Sequence, residues 1–313
     1  MSLFHRIFTW FARLFAGGRT VKELAHRIDV PIDSLKNIDL SYRQVSIPKK
    51  SGKRRKLNVP NNKLKTLQRR ILHRLLKKLR THPLATGFKP GVSFVDNARC
   101  HQSQAVVIRI DLVDFFPSIK RGTIESYFRR IGWGRGATRL LCDLTTHNDC
   151  LPQGAPTSPM ISNLVCYFMD IRFASFCEEY DAVYTRYADD ITISSHREDA
   201  DVHELLALSL SAIRQAGFQP HFGKKFDVRR SHQRQMVTGL VVNDRANLTR
   251  EKRRWLRAVE HRKKLVQAGG YLGPRPTLTD KQLAGWHSLQ NMIDQPSNSE
   301  SHSQRKRGHF REN

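Results

Sequence analysis

Two β-branched runs, residues 183–187 and 191–195, are separated by only Ala188, Asp189 and Asp190, so the chain is committed to a β-hairpin with two adjacent carboxylates at its tip. Adjacent strand residues point to opposite faces, so Asp189 and Asp190 can serve one site only where a tight turn bends the backbone between them. The string Tyr187-Ala188-Asp189-Asp190 supplies such a turn. A third β-branched run, residues 106–110, ends at Asp111. Placed beside the hairpin, it would bring three carboxylates together, and their repulsion would require neutralising divalent cations. Taken alone, the acidic pair also suits an exposed turn between strands.

The surrounding segments define an α+β fold. Residues 159–178 read as one helix with Ile161, Leu164, Val165, Phe168 and Ile171 on one side, and residues 201–217 as another, capped by Gly217. Strand, helix, hairpin, helix predicts an antiparallel sheet with helices on one face. Nearer the start, residues 3–15 mark an amphipathic helix whose apolar face packs on the body or on a partner, with a membrane surface as the alternative, and residues 20–37 two short helices broken at Val30-Pro31. A basic hairpin follows over residues 42–60, turning at Ser51-Gly52, then an amphipathic helix over residues 64–79 that ends before Pro83. Residues 249–267 form a basic helix, and residues 295–313 read as a disordered basic tail.

Charge narrows the partner. Fifty-four Lys and Arg against 28 Asp and Glu give a net charge of +26, which points to a polyanion, nucleic acid first and an anionic membrane surface second. The basic residues are spread over residues 49–56, 69–80, 229–234 and 250–264, a distribution suited to a long track. The 313 residues suffice for one large domain or for two to three subdomains sharing a cleft. Five cysteines without a CxxC pair indicate neither a zinc site nor a disulfide framework, and a cytoplasmic location is expected. Residues 3–15 are too short and too charged to span a membrane. With a polyanionic partner, the natural occupants of the three-aspartate site are two Mg²⁺ ions. One would activate a hydroxyl for in-line attack and the other would neutralise a triphosphate, which is the chemistry of nucleotidyl transfer.

Three strings carry a resemblance to a known family. They are Asp111-Leu112-Val113-Asp114-Phe115-Phe116-Pro117-Ser118, then Leu151-Pro152-Gln153-Gly154-Ala155-Pro156-Thr157-Ser158-Pro159, then Tyr184-Thr185-Arg186-Tyr187-Ala188-Asp189-Asp190. In that order they resemble the three polymerase motifs of reverse transcriptases. The resemblance implies that Asp111, Asp189 and Asp190 bind the metals, that Gln153 and Gly154 shape the pocket for a deoxynucleotide, and that Phe116 is a steric gate against a ribose 2′-hydroxyl. Phe115 is expected in the core. Arg55 matches the family's arginine over the triphosphate, with Lys49, Lys50 and Lys53 nearby, and Lys224 the lysine that protonates pyrophosphate. His221 stands where that motif usually has Asn, and Pro220 predicts a bend. The architecture implied is a right hand: fingers at residues 42–105 and 120–150, palm at 106–119 and 151–242, thumb at 243–294, preceded by a helical segment at 1–41.

Two further strings, Asn97-Ala98-Arg99-Cys100-His101 and Val237-Thr238-Gly239, are similar to signatures of bacterial retron reverse transcriptases. That resemblance implies a structured noncoding RNA as template and primer, a branched RNA–DNA product primed from a 2′-hydroxyl, dNTP substrates and a role in antiphage defence with a separate effector. Val237, Thr238 and Gly239, with Arg253, Arg254 and Arg257 on the basic helix, are the residues it assigns to RNA binding. The chain length is not expected to accommodate a maturase, endonuclease or ribonuclease H region. Alternatives are a defence-associated reverse transcriptase of another type and an RNA-binding palm without polymerase activity.

Overall fold

The computed structural model describes residues 18–48, 52, 54–222, 226–269 and 278–295. The expectations for residues 3–15, for Lys49, Lys50, Lys53 and Lys224, and for the tail beyond residue 295 lie outside the described residues.

In chain order the elements are α1 (Val21–Ile28), α2 (Ile32–Lys36), β1 (Tyr42–Pro48), β2 (Arg54–Pro60), α3 (Asn62–Arg74), α4 (Phe94–Arg99), β3 (Val106–Asp111), α5 (Phe115–Ser118), α6 (Arg121–Arg130) and α7 (Arg135–Thr145). There follow α8 (Ser158–Val165), α9 (Tyr167–Glu179), β4 (Val183–Tyr187), β5 (Asp190–Ser195), α10 (Val202–Gln215), β6 (Phe226–Arg230), β7 (Met236–Val237), β8 (Leu240–Val241), α11 (Arg250–Gln267) and α12 (Asp280–Asp294). Strands β1 and β2 form the expected antiparallel hairpin, from Tyr42 opposite Pro60 to Pro48 opposite Arg54. The central sheet is antiparallel with order β4-β5-β3-β6.

Period-two alternation sorts the faces of this sheet. Ile108 and Ile110 of β3, Ile191 and Ile193 of β5 and Tyr184 of β4 belong to the main core, together with residues of α1, α3 and α6 to α10. Arg109 and Asp111, one residue out of phase, belong to the other face, as do their register partners Thr192 and Asp190. A second, smaller core covers one end of that face, where Val107 meets Val95, Ala98, Val237, Leu240, Val242, Ala246 and Leu248. Trp286, Leu289 and Ile293 of α12 pack against it.

Two expectations need correction. The helix over residues 159–178 is two helices, α8 and α9, bent by 51°. Beyond the bend Met169, Asp170, Phe173, Phe176 and Cys177 face inward, while Phe168 and Ile171 are exposed. The cause is Asp170, whose carboxylate must reach a buried arginine; a pattern that treats every Asp as solvent-facing places α9 a third of a turn wrongly. The amphipathic run over residues 64–79 stops at Arg74 and finishes in a 3₁₀ turn, Leu76–Lys78. Beside Pro220, where a bend is expected, Val113 N donates to Gln219 O at 2.8 Å and His221 N to Asp111 O at 2.7 Å, while regular pairing with β3 begins only at Phe226, opposite Ile110. The proline itself, bridged to Leu112, needs no donor. Among the described residues no single helix is long and apolar enough to cross a membrane.

Candidate active site

The hairpin of β4 and β5 closes between Tyr187 and its partner Asp190, leaving Ala188 and Asp189 as the turn. Ala188 takes a φ of 59°, the left-handed conformation that lets so short a turn close. Strand β3 runs beside β5 in a register that sets Asp111 directly opposite Asp190, so their side chains share one face. Leu112 N donates to Asp189 O at 3.0 Å and ties the turn to the end of β3. All three aspartates therefore stand at one end of two adjacent strands. Arg109, two residues before Asp111 on the same face, donates from Nη2 to Asp190 Oδ2 at 3.1 Å.

Three carboxylates are hard oxygen donors, the set that Mg²⁺ prefers, and the donor chemistry fits a divalent cation. The side chains are not gathered into a finished cage: among the described residues no group of three or more His, Cys, Asp or Glu is poised to hold one ion.

Phe116, on the turn of helix that follows Asp111, is half-buried, with its ring 5.3 Å from Phe115 and 6.1 Å from Phe88. Phe115 is buried as expected, 5.5 Å from Phe218. Phe88 is 45 % exposed and escapes sequence reasoning, because a lone aromatic in the loop Gly87-Phe88-Lys89-Pro90-Gly91 matches no periodic pattern. It follows Gly87, where a Cβ would lie 2.5 Å from Ala188 N, so the loop approaches the β4–β5 turn as only glycine can.

Gln153 and Gly154 lie in the loop before α8, and β2 is fastened to that loop. Asn58 N donates to Gln153 O at 2.8 Å, and a Cβ on Gly154, whose φ is 124°, would stand 2.9 Å from Asn58 O. Arg55 is exposed three residues earlier on the same strand. The structure thus joins the hairpin of Arg55 to the loop of Gln153.

The other two strings pack on each other. Val237 is fully buried beside Val95 and Ala98, and Thr238 Oγ1 donates to Phe94 O at 2.7 Å. Gly239 is exposed, as are Arg254 and Arg257 on α11, whereas Arg253 is half-buried. Any RNA contact at residues 237–239 must therefore use Thr238, Gly239 or the backbone, since the Val237 side chain faces the core. Asn97 Oδ1 accepts from Thr86 Oγ1 at 2.5 Å. Arg99 Nη2 reaches the carbonyls of Met292, Ile293 and Gln295 at 2.6, 3.3 and 2.5 Å, capping the end of α12.

His101 is fully buried between two strands, with Nδ1 2.6 Å from Ser194 Oγ and Nε2 2.7 Å from Thr185 Oγ1. Burial pulls its pKa from 6.5 down to about 3, so the fold holds the neutral imidazole. The unfolded chain takes up a proton below about pH 6.5 that the folded chain refuses, and stability falls as pH drops through that window toward 3. The loss expected from this group approaches about 1.4 kcal/mol per pH unit. Urea unfolding at pH 7 and pH 5 should show a steeper fall for the parent than for His101→Gln; parallel profiles would exclude His101 as the source.

Known proteins resemble this chain over most of its length. The family described as reverse transcriptase (RNA-dependent DNA polymerase) matches residues 47–233. The retron Mx65 reverse transcriptase of Myxococcus xanthus is 34% identical over 269 residues, covering 78% of this chain and 62% of that protein. The retron Mx162 reverse transcriptase of the same organism is 33% identical over 294 residues, covering 83% and 59%. The retron Ec86 reverse transcriptase of Escherichia coli is 32% identical over 228 residues, covering 71% and 70%. The chain spans about six tenths of the length of the two Myxococcus relatives. With the first and third motifs at one end of the central sheet and relatives of this kind along most of its length, the chain belongs to the reverse transcriptase family, and within it to the retron type.

Proposed function

We propose that this protein is an RNA-directed DNA polymerase that extends a primer with deoxynucleotides in a right-hand cleft. The observation that carries the reading is Asp111 standing opposite Asp190 with Asp189 tied to the same strand end. In the proposed hand, residues 42–105 and 120–150 are fingers, 106–119 and 151–242 palm, and 243–294 thumb. Asp111, Asp189 and Asp190 would hold two Mg²⁺ ions, which when bound activate the primer hydroxyl and neutralise the triphosphate. Gln153 and Gly154 floor the nucleotide pocket, Arg55 approaches the triphosphate from the hairpin fastened to that floor, and Lys224 donates a proton to the leaving pyrophosphate. Phe116, backed by Phe115 and Phe88, blocks a ribose 2′-hydroxyl.

The net charge of +26 supports a nucleic-acid track along the cleft. The retron relatives support a structured noncoding RNA as template, primed from one of its own 2′-hydroxyls, with the exposed Arg254 and Arg257 gripping its phosphates. We place the protein in antiphage defence beside a separate effector.

The test is extension of a DNA primer on an RNA template, and of the RNA encoded beside the gene, with Mg²⁺ and dNTPs. Radiolabelled DNA made on either template supports the reading. Failure on both, with folded protein, leaves an RNA-binding palm and overturns the polymerase. In the same assay Phe116→Ala is expected to raise the kcat/KM for a ribonucleotide relative to its deoxynucleotide by on the order of tenfold or more. An unchanged ratio would remove the gate from Phe116.

A further inference from the structure

Arg186 lies inside the third motif, two residues before the turn, yet it points away from the cleft and has no exposure to solvent. A buried guanidinium persists only where its donors are met. Nε and Nη2 donate to the two oxygens of Asp170 at 2.7 Å each, and Asp170 is itself fully buried. The remaining nitrogen, Nη1, donates at 3.1 Å both to Asn163 Oδ1 and to the carbonyl of Ala188. That last contact reaches the catalytic turn. We propose that Arg186, braced by Asp170 and Asn163, is a positioning residue for the metal-binding aspartates, acting through the Ala188 carbonyl. The proposal rests on the polymerase reading given above.

The carbonyl of Ala188 belongs to the peptide plane that leads into Asp189, and Ala188 sits at a φ of 59° that alanine does not favour. Arg186 fixes that plane from the core side. The next carbonyl, of Asp189, accepts from Leu112 N on the strand of Asp111. Both peptide planes flanking Asp189 are thereby held, one from beneath and one from β3. A third restraint closes the set: Asn163 Nδ2 donates to Gly87 O at 2.8 Å, and Thr86 N donates to Arg186 O at 2.9 Å. These bonds press Gly87 against Ala188 N, where no Cβ fits. The planar fork of arginine meets Asp170, Asn163 and Ala188 at once; the single ammonium of a lysine cannot.

Two variants test the idea. Arg186→Met with Asp170→Leu replaces the buried pair by apolar side chains of similar volume, a change that folds commonly tolerate. Arg186→Lys keeps the charge and loses the fork. Three readouts separate positioning from structure: the urea midpoint, the rise in melting temperature with added Mg²⁺, and steady-state extension. The double variant, which leaves the Tyr184 hydroxyl without its Asp170 acceptor, is expected to stay folded at a lower urea midpoint, to need roughly tenfold more Mg²⁺ for the same thermal shift, and to lose about 10²-fold in kcat with little change in KM for dNTP. A folded double variant with the parent's Mg²⁺ response and kcat overturns the proposal. If the double variant does not fold, Arg186→Lys decides: a weakened Mg²⁺ response supports positioning, and a parental one overturns it. A parent that extends no primer but shows an Mg²⁺ shift that the variants lose defeats the polymerase reading and leaves the clamp standing. A parent without any Mg²⁺ shift defeats the clamp.

Discussion

Replacing Asp189 and Asp190 together by alanine is expected to reduce DNA synthesis by at least about 10³-fold, a loss of about 4 kcal/mol of transition-state stabilisation. The size of the effect follows from what remains. With only Asp111 of the three proposed ligands, the site offers one carboxylate to cations that must counter the charge of a triphosphate. The fold should survive, because neither residue contributes to the core: Ile191 and Ile193 set the register of β5, and both are fully buried. Removing two of three neighbouring negative charges also relieves repulsion, set against the loss of the partly buried pair of Asp190 with Arg109. A gel of extended primer and a melting curve make the measurement. A variant that melts like the parent and still extends would place the chemistry elsewhere.

Asp170→Ala is expected to act in the opposite way, lowering stability by about 3–5 kcal/mol. Its two oxygens accept from Arg186 Nε and Nη2, and Oδ1 also accepts from the Tyr184 hydroxyl at 2.7 Å. All three side chains are shut off from water, and burial beside Asp170 drives the Tyr184 pKa well above its ordinary value. Deleting the carboxylate strands a guanidinium and a phenol with nothing to receive their protons. Against a typical total of about 5–15 kcal/mol, such a loss should appear as a large drop in the urea midpoint. A change under about 1 kcal/mol would show that water or a neighbour replaces the carboxylate.

The sheet edge that carries the three aspartates was legible because its signals are local. Period-two runs flank Asp111, Asp189 and Asp190, and two residues between paired positions leave a hairpin no other course. The basic hairpin and the glycine that ends α10 were readable on the same grounds: Gly217 takes a φ of 81° just beyond the last helical residue, Gln215. What escaped depends on distant partners. Asp170 turns inward for the sake of Arg186, sixteen residues away, and no helical pattern contains that fact. Phe88 joins Phe116 only because Gly87 lets its loop lie against the turn. Val237 reads as part of a recognition string, yet its apolar side chain goes where apolar side chains go.

The packing of Phe94, Val95 and Ala98 against Val237, with Arg99 fastened to the last carbonyls of α12, bears on how such enzymes can be recombined. A graft of residues 236–242 from a relative would set foreign side chains against an unaltered α4, and a graft of α12 alone would arrive without the arginine that terminates it. Moving this packed unit from one relative to another therefore means moving three stretches far apart in the gene, α4, the β7–β8 hairpin and α12, as a single cassette.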